Sequence, residues 1–207
     1  MKIGTRSVLF GAHQFLLHPV FLAIAWRRLY GFPWDPRLWA AFFLHDLGYI
    51  GSGDMDGPEG ERHVELGAHI MRTLFGDSWG EFCGRHSRYY SRARGLKVSR
   101  LCVADKLAFV LTPNWLYLPM TVATGEIFEY IERSVDRQAG DRSFRQSELT
   151  LLKAGAAPAD WLKAIKSYTA RWVEAHQFRA DHCKVRGTAR QYHEQPDQQA
   201  ERCKQRS

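Results

Sequence analysis

Apolar positions recur at three- and four-residue intervals along most of the chain, the period of an amphipathic helix. The stretch from Pro19 to Tyr30 follows this spacing and closes on Arg27, Arg28 and Gly31, a basic last turn followed by a glycine stop. Asp35-Pro36 reads as an N-cap followed by proline at the first helical position, opening a helix that carries Leu38 through Tyr49. Gly51 to Gly57 is a loop by composition. Pro58, with Glu59 and Glu61 in its first turn, starts a helix that closes near Gly76, and Asp77 or Ser78 caps another through Tyr90. Ser99 caps a helix through Leu111 that Pro113 stops.

Two further amphipathic segments follow. Thr121 to Gln138 places Ile127, Tyr130, Ile131 and Val135 on one stripe; Pro158 to Phe178 carries Trp161, Ile165, Tyr168 and Trp172. The aromatic run Trp115 to Pro119 is expected to cover the bundle end. No segment alternates with the period of a strand, so the predicted fold is all-α. Beyond Lys184 the chain turns polar and Gln-rich, and residues 181–207 are expected to form a disordered tail after a single helical domain over residues 1–180.

Composition narrows the class of protein. With 207 residues and 45% hydrophobic content, the chain can bury one good-sized core. The apolar stretch Leu107 to Met120 is too short to span a bilayer, and His13 and His18 interrupt the N-terminal run before it resembles a signal peptide. Cys83, Cys102, Cys183 and Cys203 form no C-x-x-C pair, which fits isolated thiols in a reducing cytoplasm. A formal net charge of +7 fits either an anionic substrate or a solvated basic surface.

The chemistry concentrates in histidines and aspartates. His45-Asp46 ends the apolar run Ala41 to Leu44, and an unpaired buried carboxylate costs several kcal/mol or becomes protonated. A divalent cation removes that difficulty. His18, His63, His86 and Asp105 occur on successive predicted helices, and a helical bundle can bring such side chains together in its core. Donors without thiolate favour Mn, Fe, Co, Ni or Zn over Mg or Ca. If helical, His45 and Asp46 point about 100° apart, so that Asp46 can bridge two ions while His45 serves one. His13 and His69 lie five and six residues from His18 and His63, on other faces of continuous helices, and are not expected as ligands. His176, His182 and His193 are expected to be solvated.

The order of these residues resembles the HD-domain superfamily of metal-dependent phosphohydrolases, over roughly residues 12–111. Leu44-His45-Asp46-Leu47-Gly48 is similar to that family's most recognisable stretch, and Val103 to Leu107 to its closing motif. The resemblance implies an HD-like bundle with additional C-terminal helices and a metal site of His18, His45, Asp46 and Asp105. His63 and His86 fall where two-metal members add histidines. It implies hydrolysis of a phosphate ester, a nucleotide or another small phosphorylated metabolite in preference to nucleic acid, with Asp46 and His45 at the catalytic centre and one or two transition-metal ions. Some relatives with the fuller histidine set activate oxygen at a mixed-valence di-iron site, and a non-catalytic metal-containing module is a third possibility. Within the basic segment Arg85 to Lys106, Arg88 and Lys106 are singled out to hold an anionic substrate, with Tyr89 and Tyr90 expected to pack in the bundle. The loop Asp54 to Gly57 lacks the later ligands of a calcium loop and is expected as a lid.

Overall fold

A computed structural model of the chain describes residues 1–138, 144–153 and 155–181; the expected tail, with Cys183 and Cys203, lies outside the described residues. The described residues are helical, without strands. The α-helices are α1 (Ile3–Phe10), α2 (Leu17–Tyr30), α3 (Pro36–Leu44), α4 (Val64–Phe75), α5 (Asp77–Gly84) and α6 (Arg88–Ala93). They continue with α7 (Arg100–Leu111), α8 (Asn114–Thr124), α9 (Glu126–Gln138), α10 (Gln146–Leu149) and α11 (Pro158–Asp181). Two 3₁₀ turns, Leu47–Tyr49 and Gly60–Arg62, lie between α3 and α4. No described helix is long and apolar enough to cross a membrane.

The main core joins α2, α3, α4, α5 and α7 through Leu22, Trp26, Phe42, Met71, Trp79 and Leu101. Helix α7 is apolar almost all round, with Leu101 to Asp105 and Ala108 buried, as expected of a helix covered on several sides. It packs between α2 and α11. The C-terminal helix therefore completes the bundle rather than standing apart from it. A second core joins α8, α9 and α11 around Tyr117, Ile127, Ile131, Trp161 and Leu162.

Several boundaries differ from those the sequence predicts. Asp35 does cap α3, its side chain accepting from the Arg37 N–H at 2.9 Å. That helix ends at Leu44 rather than Tyr49, and Asp46 has left helical geometry at φ −101°, ψ 1°. Pro58 opens no α-helix; a 3₁₀ turn precedes His63, and α4 begins only at Val64. The predicted helix from Asp77 to Tyr90 is broken, so His86 lies between α5 and α6, where Ser87 caps the second through the Tyr90 N–H. The segment Thr121–Gln138 is divided by Gly125 at φ 84°, ψ −5°, a left-handed stop suited to glycine. Trp115 is exposed rather than covering the bundle end, and Tyr89 is also exposed. Helices α1 and α10 were not predicted from the pattern. The expected lid loop is packed: Met55 is buried, and Glu129 on α9 accepts from the Met55 and Asp56 N–H groups.

Glu148 ties α10 to α11. Its carboxylate bonds Arg171 and accepts from the Arg145 N–H at 2.9 Å. The Arg171 guanidinium brings Glu148 down to about 2 from 4.5. A depressed folded-state value means that this stabilisation is present above about pH 4.5 and is lost as pH falls through about 2. Glu148→Gln is therefore expected to cost about 1–3 kcal/mol at pH 7, with a smaller penalty at pH 3, measured by urea unfolding at both pH values.

Candidate metal centre

Four helix ends or junctions and one central helix converge on Asp46. His18 lies in the first turn of α2, His45 caps the end of α3, His63 joins a 3₁₀ turn to α4, and His86 lies between α5 and α6. Asp105 comes from the interior of α7. Backbone approach makes the convergence possible at two glycines. A Cβ on Gly48 would overlap the His63 carbonyl, and one on Gly67 would lie 2.5 Å from the Leu44 carbonyl oxygen and 3.0 Å from the His45 Cα. The stretch containing His45 and Asp46 thus lies against the start of α4 without intervening side chains.

Three histidines are oriented by the same local device. The Nδ1 of His45 lies 3.1 Å from the Phe42 carbonyl, that of His63 2.5 Å from Gly60, and that of His86 2.6 Å from Cys83. Each carbonyl is three residues upstream, and those of Gly60 and Cys83 also accept the backbone N–H of the same histidine, at 3.0 and 3.1 Å. A carbonyl only accepts, so each Nδ1 carries the proton and, in the neutral ring, Nε2 presents its lone pair. This is the orientation metal-binding histidines commonly receive from a second partner.

The Nε2 atoms meet the two oxygens of Asp46 from opposite sides. Oδ2 lies 3.0 Å from His45 and 3.5 Å from His18, while Oδ1 lies 3.3 Å from His86 and 3.7 Å from His63. His18 also lies 3.1 Å from Asp105 Oδ1 and 3.3 Å from His45 Nε2, and the His63 and His86 Nε2 atoms are 3.1 Å apart. Two groups result, His18–His45–Asp46–Asp105 and Asp46–His63–His86, each of which could hold a metal ion. Ligands about 2.1 Å from an ion at cis or tetrahedral angles lie about 3.0–3.4 Å apart, close to the observed nitrogen separations. Asp46 Oδ2 is buried without a hydrogen-bond partner. Converging lone pairs and an orphaned carboxylate oxygen are what a divalent cation relieves.

The electrostatics centre on the same carboxylate. Burial opposes ionisation of Asp46, but the neighbouring His45 outweighs it and holds the acid well below the usual carboxylate range. Burial likewise opposes charge on His45, and Asp46 pushes that imidazole up. His63 falls to about 3, through burial and then through its neighbour His86. Asp105 is kept low despite burial by Lys106, whose Nζ is 2.9 Å from Oδ2.

The other candidate residues divide. Lys106 stands beside Asp105 and is partly exposed. Arg88 turns toward α11, with Nη1 3.4 Å from the Tyr168 hydroxyl and its guanidinium 5.4 Å from the Trp172 ring. Arg85 bonds the Lys97 carbonyl, and Arg94 and Arg100 lie over Tyr90 and Tyr30. Much of the basic segment therefore has local structural partners.

Sequence reasoning missed His13 and Tyr49. Residues 11–16 form turns rather than a continuous helix, so the argument that His13 faces away from His18 does not apply; the two rings are 6.0 Å apart. His13 lines a small cleft together with His18, His45 and Asp46. Burial pushes its imidazole down to about 4. Tyr49 stacks on His63 at 4.1 Å and 7°, and its position three residues after Asp46 was the only available signal.

Two ions per chain are expected after equilibrium dialysis against Mn, with one retained by His63→Ala and neither held stoichiometrically by Asp46→Ala, as read by elemental analysis. Gly48→Ala is expected to cost roughly 2 kcal/mol or more in urea unfolding, because backbone rather than a flexible side chain must give way. A wild-type-like midpoint and metal content in Gly48→Ala would contradict this packing argument.

Comparison with family models, with curated proteins and with solved structures finds no match for this chain. The functional reading consequently rests on the side chains and their geometry.

Proposed function

We propose that the protein is an HD-type metal-dependent hydrolase that cleaves a phosphate ester, with a nucleotide or another small phosphorylated metabolite as substrate. The observation carrying this reading is Asp46, whose two oxygens face two separate histidine-containing groups. His18, His45 and Asp105 would hold one transition-metal ion, His63 and His86 the other, and Asp46 both. Mn, Fe, Co, Ni and Zn suit this thiolate-free donor set. When bound, such an ion pair supplies Lewis acidity to a phosphoryl group and acidifies water near neutral pH.

The chain's own contribution is position and charge. Neutral rings held through Nδ1 keep their Nε2 atoms turned inward, limiting reorganisation during reaction. Lys106 places an ammonium beside Asp105, a positive charge next to the candidate ligands that is suited to balancing a phosphate. Phe15, Phe42 and Phe43 line that cleft and limit access of bulk water to it. Hydrolysis adds one water across the P–O ester bond and releases an alcohol and phosphate.

Anaerobic incubation of metal-replete protein with phosphate esters should release phosphate, in parallel samples containing Mn, Fe, Co or Ni. Oxygen consumption with substrate and no anaerobic phosphate release would replace the hydrolase by an oxygenase. Asp46→Ala should abolish turnover while its circular dichroism remains helical. Lys106→Ala should lower kcat/KM about tenfold or more if its ammonium contacts the phosphate, since a charge-assisted contact contributes roughly 1.5–3 kcal/mol. For Arg88→Ala the corresponding loss should be smaller, because the guanidinium is engaged with α11.

A further inference from the structure

Apart from His18, His45 and Asp46, the side chains lining the cleft are apolar with one exception, His13. A single polar group in such a wall is well placed to discriminate between substrates. Its ring is held by a residue that does not itself line the cleft. Nδ1 lies 2.9 Å from the hydroxyl of Ser7, which is fully buried and itself bonds the carboxylate of fully buried Glu126.

The direction of this relay follows from the partners of Glu126. One carboxylate oxygen accepts from the Ala12 N–H at 2.7 Å and the Thr124 hydroxyl at 3.0 Å. The other accepts from the Tyr130 hydroxyl at 3.3 Å. Burial raises this acid, but the donors from Ser7, Ala12, Thr124 and Tyr130 favour its ionised form. Ser7 therefore donates to Glu126 and accepts from His13, which places the imidazole proton on Nδ1. The His13 Nε2 is left with a lone pair and no hydrogen-bond partner among the described residues.

We propose that His13 is the specificity residue of the cleft, its Nε2 accepting a hydrogen bond from a hydroxyl carried by the substrate close to the scissile phosphate. The assignment rests on the hydrolase reading and narrows its substrate class to hydroxylated phosphate esters, in preference to deoxy analogues of the same skeleton. The Ser7–Glu126 relay fixes the tautomer and so makes the site an acceptor. A substrate without a donor leaves that acceptor desolvated and unpaired, which is the source of discrimination.

The test compares glycerol 2-phosphate with isopropyl phosphate, which shares its carbon skeleton and lacks both hydroxyls, using 4-nitrophenyl phosphate to report hydrolase activity itself. In metal-replete wild type, kcat/KM should favour glycerol 2-phosphate by about three- to tenfold, the range of one neutral hydrogen bond. His13→Ala should bring the ratio to about one with metal content unchanged, and His13→Gln, which keeps an acceptor oxygen, should restore part of it. Ser7→Ala, which leaves the cleft wall intact, should lower the ratio about twofold. Independently of turnover, ¹⁵N-histidine spectra of metal-free protein should show His13 as the Nδ1–H tautomer. A wild-type ratio near one, a ratio that His13→Ala leaves unchanged, or an Nε2–H tautomer would overturn the assignment while phosphate release from 4-nitrophenyl phosphate continued. Failure of wild type to release phosphate from any of the three esters would instead overturn the hydrolase reading, and the assignment with it.

Discussion

A buried carboxylate with histidine nitrogens on both sides is the constraint around which this structure is organised. Asp46 lies where α3 has ended and helical geometry has been abandoned, so its side chain can face two groups at once. Removing a charged group from water is costly unless compensated, and here three other parts of the chain bring imidazole lone pairs that could hold a compensating cation together with the carboxylate. That requirement explains the close backbone approaches at Gly48 and Gly67 better than helix packing alone would. Either glycine replaced by a larger residue would move the His63 end of the site away from the Asp46 end.

Helix termini do much of the positioning. A helix end leaves carbonyl groups without intrahelical donors, and in this protein those groups orient imidazoles. His45, His63 and His86 repeat one arrangement, the ring proton directed at the carbonyl three residues upstream. Short elements are therefore an advantage, because each break supplies both a carbonyl within reach of the ring and a change of direction. The loop before His63 extends the same logic: Glu129 accepts from the Met55 and Asp56 N–H groups, and Asp54 accepts from the N–H of Gly60, the residue whose own carbonyl bonds His63.

The C-terminal helices act on the site through α7. Because α11 packs on α7, it buries the helix that supplies Asp105, and α9 closes the N-terminal segment through Glu126 and Ala12. The basic segment also belongs to this scaffold. Arg85 and Arg94 secure the turn after α5 and the face of α6, while Arg88 reaches α11. A positive formal charge thus coexists with substantial local use of its arginines, leaving Lys106 as the cation most closely associated with the candidate ligands.

Helical periodicity, the Asp35-Pro36 start and the glycine stops made the all-α class and most of the long helices legible. The ligand residue types were legible too, since histidines and aspartates bordering apolar stretches have few uses in a core. What the linear pattern could not determine was where helices break, because 3₁₀ turns and short α-helices share its apolar spacing. Hence Asp46, His63 and His86 were placed on helices, whereas they lie at junctions. His13 was lost for the same reason, its direction having been inferred from a helix that the chain does not form. Residue identity determined which groups could bind a cation; tertiary packing alone decided that Asp46 faces both histidine sets, because that depends on contacts between segments far apart in sequence.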